Sequence, residues 1–321
     1  MTYLKGEGKG KNQENLVLPL DYQRIFDRRI VIITGVSRAG TSILGKIIGS
    51  LENVIYLFEP VIVRLLPILA HSRFTDFEIA SQLLRGLLFE DYYLQMLHGR
   101  CINYKKSDNS YVGNYQSLKT VKERWVRYGR RSDLIRDIYR GKFVFALKIS
   151  ETQPFLPIFE KVFKEPKIIH IIRNGNEVIS SSVKRGWYSD EHLNNLMVQW
   201  MRKGRINIPW FVPDRDAGKF CDWNAETRIA YAWRILTKIG RDYGKGKKNY
   251  FEIRYEDLVK DPEKATRACG RLLGLRKTRT TLKNIGALKR HIPTEHPDQT
   301  AKIHKDERSL FQCYMKELRY L

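Results

Sequence analysis

The chain has 321 residues, 42% of them hydrophobic and 29% charged, a balance that excludes a fibrous or wholly disordered polymer. Its 58 Lys and Arg against 35 Asp and Glu leave a formal charge of +23, a field that attracts anions such as nucleic acid, a membrane surface, a polyanionic acceptor or a charged nucleotide. Four cysteines, Cys101, Cys221, Cys269 and Cys313, lie too far apart for a zinc site or a dense disulfide framework and read as free thiols.

In chain order, residues 1–28 are polar, lysine-rich and dotted with glycine, and are expected to form a flexible basic arm without the apolar run of a signal peptide. Residues 29–321 are expected to form a single domain. "RIVIITG" reads as a buried strand, and "TSILGKIIGSLEN" carries Ile43, Leu44, Ile47, Ile48 and Leu51 at helical spacing. A second short apolar strand lies in "NVIYLFEP". The surrounding run "VIYLFEPVIVRLLPILA" is broken by Glu59, Pro60, Arg64 and Pro67 before it could span a bilayer, so a soluble, cytoplasmic protein is expected.

Two stretches depart from this rhythm and read as insertions: residues 98–142, dense in Lys and Arg, and residues 203–225, with two tryptophans among glycine and proline breaks. Between and after them, "KFVFALKIS" and "PKIIHIIRN" are strands, and "PFLPIFEKVFKE" and "GNEVISSSVKRG" the helices that follow them. "NYFEIRYEDLVKDPEKATRACGRLLGL" reads as a strand, a short polar turn, and a helix running from Asp261 and Pro262 to Gly274. Strands alternating with helices predict an α/β fold, a parallel central sheet flanked by helices on both faces.

The segment "GVSRAGTS", residues 35–42, joins the first strand to the first helix with the glycine spacing of a phosphate-cradling loop. Unpaired backbone amides at a helix N-terminus bind anions, Gly35 and Gly40 permit the tight turn, and Thr41 and Ser42 add hydroxyls. A nucleotide triphosphatase would carry lysine where Thr41 stands, and its metal would need an aspartate from a later strand. Here "KIIHIIRN" ends instead in Arg173 and Asn174. Charge neutralisation therefore falls to Arg38 inside the loop, without a metal.

"TGVSRAGTS", "IIHIIRNGNEVISSS" and "IRYEDLVKDPE" together resemble the sulfotransferases that use 3'-phosphoadenosine 5'-phosphosulfate, in the bacterial, glycan and protein-tyrosine branches, over most of residues 29–275. The resemblance implies a P-loop NTPase-like fold, metal-free transfer of a sulfuryl group, and a loop of Gly35, Ser37, Arg38, Ala39, Gly40, Thr41 and Ser42 holding the 5'-phosphosulfate. It further implies that Arg173 and Ser181 bind the 3'-phosphate. An arginine at a strand's carboxyl end and a hydroxyl eight residues on can face one crevice, and a guanidinium matches phosphate geometry. Lys302, in "DQTAKIHK", would close over the donor as a similar lysine does in relatives.

In-line transfer needs cations at the leaving oxygen and a base for a hydroxyl acceptor. Arg38 and Lys148, at the end of "KFVFALK", suit the first role. Glu59 suits the second, because it emerges on the same edge as the loop, and its spacing matches the catalytic glutamate of the protein-tyrosine branch. A structural ion pair with Arg38 is the alternative for Glu59. His170 lies within a strand and His98 within an insertion, so neither is favoured as base. In "RYEDLV" the acids are expected to brace the following turn and helix, and Trp233 to pack in the core. The basic insertions would recruit an anionic acceptor, with a glycan expected first, then a glycolipid, a small alcohol and a protein tyrosine. A phosphate-loop kinase is the second reading, and a nucleic-acid-binding protein using residues 119–142 the third.

Overall fold

The computed structural model describes residues 21–26, 29–195, 201–203, 205–290 and 297–321. Its strands are β1 (Ile30–Gly35), β2 (Val54–Phe58), β3 (Val144–Lys148), β4 (Lys167–Ile172), β5 (Met201–Lys203), β6 (Asn207–Pro209) and β7 (Tyr250–Arg254). Five of them form one sheet in the order β2-β3-β1-β4-β7, all parallel, as the alternation of strands and helices predicts. The remaining two pair antiparallel, β5 standing at the edge of the expected 203–225 insertion and β6 within it, and the helix Asp214–Asp222 follows.

The sheet is apolar on both faces, and successive strand residues divide between them. Ile30, Ile32, Ile55, Leu57, Phe145 and Leu147 join a cluster with Phe155, Leu156 and Phe159 around the helix Leu156–Val162. Val31, Ile33, Tyr56 and Ala146 join the opposite cluster with Leu44, Ile47 and Ile48 of the helix Thr41–Gly49. The connections leaving neighbouring strands β1 and β3 thus run over opposite faces. That arrangement opens a crevice at their carboxyl ends, where ligands bind in open parallel sheets.

The structure adds helices in two regions that the sequence reading left unassigned and changes two of its expectations. Residues 62–94 are helical, as Ile62–His71, Phe77–Leu87 and the π-helical Leu88–Leu94, despite Pro67 inside the first of them. The 98–142 insertion contains the helices Leu118–Arg127, capped by Ser117, and Arg131–Tyr139. The polar turn expected after β7 is the helix Tyr255–Lys260, and Asp261 caps the next helix, Pro262–Leu273, by accepting from the Lys264 amide at 2.9 Å. Most of the expected arm lies outside the described residues. Its helix Tyr22–Phe26, however, buries Ile25 and Phe26, with Phe26 edge-on to Phe145 and Phe163.

Candidate active site

At the carboxyl end of β1 the loop turns tightly under the sheet. A Cβ on Gly35 would meet the Ile171 carbonyl oxygen at 2.5 Å, and Gly40 has a φ of 99° with the Tyr255 ring 2.5 Å from where its Cβ would stand. The amides of Ser37, Arg38, Gly40, Thr41 and Ser42 find no acceptor among the described residues, whereas the Ala39 amide closes a turn onto the Val36 carbonyl at 3.0 Å. Unpaired donors beside a helix N-terminus form an anion cradle.

Arg38 leans from the loop across to the helix Gly175–Val183, donating from Nε to Ser181 Oγ at 3.0 Å and lying 5.5 Å from the centre of the Trp187 ring. Arg173 donates from Nη1 to the Arg38 carbonyl at 3.0 Å and stacks over the Tyr255 ring at 4.1 Å. Its Nε and Nη2 both reach Glu177 Oε2 at 2.7 Å, so the fork already holds a carboxylate four residues along the chain. Burial, with Arg185 and Arg173 nearby, pulls the Arg38 guanidinium below the usual arginine range.

Glu59 stands just past β2, and Lys148 ends β3. The register pairs Phe58 with Lys148 and brings the ammonium within 2.6 Å of Glu59 Oε1. Ser150 Oγ donates to the same oxygen at 3.0 Å and lies 3.3 Å from Thr41 Oγ1, linking the carboxylate to the loop. Glu59 Oε2 has no partner among the described residues, and the residue lines the cleft. Burial pushes the Glu59 carboxyl up, but the charge and hydrogen bond of Lys148, the charge of Arg64 and the Ser150 hydroxyl outweigh it and hold it below the usual carboxylate range. Lys148 is itself pulled down by burial, with Glu59 opposing. Glu59's ion-pair partner is therefore Lys148, not the Arg38 that the sequence offered as the alternative to a catalytic role.

The cleft of about 350 Å³ joins these groups: Ser37, Arg38, Thr41, Ser42, Glu59 and Lys148 line it. Arg173 and Ser181 stand behind Arg38. Lys302 goes elsewhere: its ammonium is 3.9 Å from Glu226 and it is 59% exposed on the turn Thr300–Lys302. Arg64, Ser150, Arg185 and Trp187 also line the cleft and were not singled out from the sequence. A lone arginine in the apolar "VIVRLLP" and a hydroxyl two residues beyond Lys148 were the available signals.

Four non-glycine cleft residues have left-handed backbone, Arg38 (φ 70°), Glu59 (φ 46°), Glu151 (φ 62°) and Tyr188 (φ 63°). Such strain concentrates at functional sites. Glu256 of "RYEDLV" braces the site rather than its own helix, accepting the Asn174 amide at 2.8 Å. Trp233 is fully buried and donates to the Arg173 carbonyl at 3.0 Å. Among the described residues, no group of three or more His, Cys, Asp or Glu side chains is placed to hold a metal ion, and no helix is long and apolar enough to cross a membrane.

An anion cradle after the first strand of a parallel sheet, with a carboxylate and several cations on the same edge, defines a group-transfer protein of the P-loop-like α/β class. Residues 31–280 match the family model described as the sulfotransferase family, and the chain belongs to that family. Among solved structures it is similar to the sulfotransferase domain from the curacin biosynthetic pathway, at 13% identity over 92% of this chain and 98% of that one, with a TM-score of 0.43. It is also similar to the sulfotransferase domain of the Synechococcus PCC 7002 olefin synthase (14%, 90% and 95%, 0.43). A third is mouse sulfotransferase SULT7A1 complexed with PAP (12%, 92% and 86%, 0.43). No curated protein sequence matches the chain.

Proposed function

We propose that this sulfotransferase moves a sulfuryl group from 3'-phosphoadenosine 5'-phosphosulfate to a hydroxyl of a carbohydrate-containing acceptor, an anionic glycan or glycolipid, with Glu59 as the base. The observation that carries this reading is the meeting of an unpaired amide cradle with a carboxylate whose Oε2 is free, both in one cleft. The donor set of amides, hydroxyls and guanidinium groups fits phosphate and sulfate oxygens. When bound, the donor supplies an activated sulfuryl group.

The chain's own groups then divide the work. Loop amides with Thr41 and Ser42 hold the 5' end, while Arg173 and Ser181 hold the 3'-phosphate, Arg173 sharing its fork with Glu177. Glu59, ionised at neutral pH, accepts the acceptor's proton on Oε2. Once protonated it no longer neutralises Lys148, whose charge becomes available to an anionic oxygen beside Arg38. Arg64 and Arg185 on the cleft wall suit an anionic acceptor. We further read residues 29–321 as one domain, and the free cysteines as fitting a cytoplasmic, reducing location.

Calorimetric titration with adenosine 3',5'-bisphosphate and with ATP, each with and without magnesium, tests the donor. Tight, metal-independent binding of the bisphosphate alone is expected. Preference for magnesium ATP would return the chain to the kinase reading.

A further inference from the structure

The second cavity lies at the other end of the same strands. It holds about 650 Å³, within the range of small-molecule sites, and is lined by Val54 at the start of β2 and Phe143 just before β3. Phe58 and Lys148, at the far ends of those strands, line the active-site cleft. A five-residue strand spans about 17 Å, so the two openings are separated by the thickness of the sheet along its strands.

Five cations line the cavity, Lys119, Arg124, Arg127, Lys142 and Arg279, against two acids, Glu52 and Glu123. Three of the cations are neutralised: Lys119 lies 3.8 Å from Glu123, while Arg127 and Lys142 share Asp137 at 3.6 and 2.7 Å. Arg124 and Arg279 have no acceptor among the described residues, and the buried Nε of Arg124 is one of few such orphan atoms. Burial pulls its guanidinium down to about 10, a cost that an anion in the cavity would offset. Arg279 opens an eleven-residue helix, Arg279–Lys289, whose N-terminal end adds a favourable dipole. Gln116 donates to the Val54 carbonyl at 2.8 Å but leaves a buried Oε1 unpartnered, an acceptor for a ligand hydroxyl. Tyr115, Tyr128 and Phe143 supply ring surface.

We infer that this cavity binds a sugar bearing a phosphate or sulfate ester, with Arg124 and Arg279 on the ester and Gln116 on a hydroxyl. The full chain is titrated by calorimetry with glucose 6-phosphate, glucose 6-sulfate and inorganic phosphate, alongside the Arg124→Gln, Arg279→Gln and Arg38→Ala variants. A sugar ester that binds more tightly than inorganic phosphate, weakens at least tenfold in Arg124→Gln and severalfold in Arg279→Gln, and is unchanged in Arg38→Ala supports the site; the tighter ester identifies its source. Binding lost in Arg38→Ala alone would move the ligand to the active-site cleft. Unaltered binding in both cavity variants, binding of inorganic phosphate as tight as the esters, or no binding of any probe would overturn the inference. Arg279→Gln decides the matter should Arg124→Gln fail to fold.

Discussion

Arg173 fixes the loop from below: its Nη1 hydrogen bond to the Arg38 carbonyl, at 3.0 Å, ties the end of β4 to the one loop residue whose side chain bridges to Ser181. The same guanidinium serves Glu177 with its other two nitrogens, so a phosphate at this point competes with a carboxylate for the fork.

Opposite effects are therefore expected on the two sides of that pair. Arg173→Ala should weaken binding of adenosine 3',5'-bisphosphate by about 1.5 to 3 kcal/mol, the range for a charge-assisted hydrogen bond. Glu177→Gln should tighten it severalfold by releasing the fork. Calorimetry reads both; a Glu177→Gln protein that binds more weakly would mean that the carboxylate orients Arg173 instead of competing for it.

Glu59→Gln keeps the shape and the Ser150 contact but removes the proton acceptor. Turnover should fall by about 10²- to 10⁴-fold while bisphosphate affinity stays the same. Steady-state kinetics beside calorimetry separates the two, and a turnover near that of the parent protein would remove Glu59 as base.

The acid limb of kcat/KM carries the next test. A carboxylate base works when ionised, and Glu59 is held below the usual carboxylate range, so activity should persist below the pH at which an ordinary glutamate takes up its proton and decline only beneath that. Lys148→Met removes the main group holding Glu59 down and leaves the burial that pushes it up, so the limb should move to higher pH even as the rate falls. A limb that does not move would show that another group titrates there.

His170 provides a stability test away from the chemistry. It is fully buried in β4, with Nδ1 2.6 Å from the Tyr250 hydroxyl, and burial, with Arg241 adding, lowers it to about 3. The unfolded chain binds a proton near pH 6.5 that the folded chain refuses. Stability should thus be full above that pH and fall by about 1.4 kcal/mol per unit as the pH drops towards 3. His170→Asn should remove one proton's worth of that slope in urea unfolding measured at several pH values. An unchanged slope would assign it to other groups.

The sheet was legible because strands buried on both faces are continuous apolar runs, and the site edge is marked by Gly35 at the end of β1, Lys148 at the end of β3 and Arg173 just past β4. The helices of residues 62–94 were not, since Pro67 interrupts the first and the π-helical Leu88–Leu94 departs from the 3.6-residue period. Glu59 and Lys148 were each singled out, yet their pairing joins residues 89 apart and depends on the β2–β3 register, which no local pattern carries. The Arg173–Glu177 contact is four residues long in sequence but joins the segment just past β4 to the first turn of the next helix, so it depends on the turn at Asn174 rather than on helical spacing. Lys302 was proposed only by resemblance, and its side chain extends to Glu226 at the start of the helix Ala225–Gly244.

The left-handed backbone at Arg38, Glu59, Glu151 and Tyr188 gives the cleft a lower threshold for damage than the sheet beneath it. Each such residue sits roughly 1 kcal/mol or more above its preferred conformation and stays there only while its neighbours insist. Mild warming should let these turns relax while β1, β3 and β4 remain paired. Catalysis would then be lost at temperatures where the circular dichroism of the helices is still intact, and cooling would restore it.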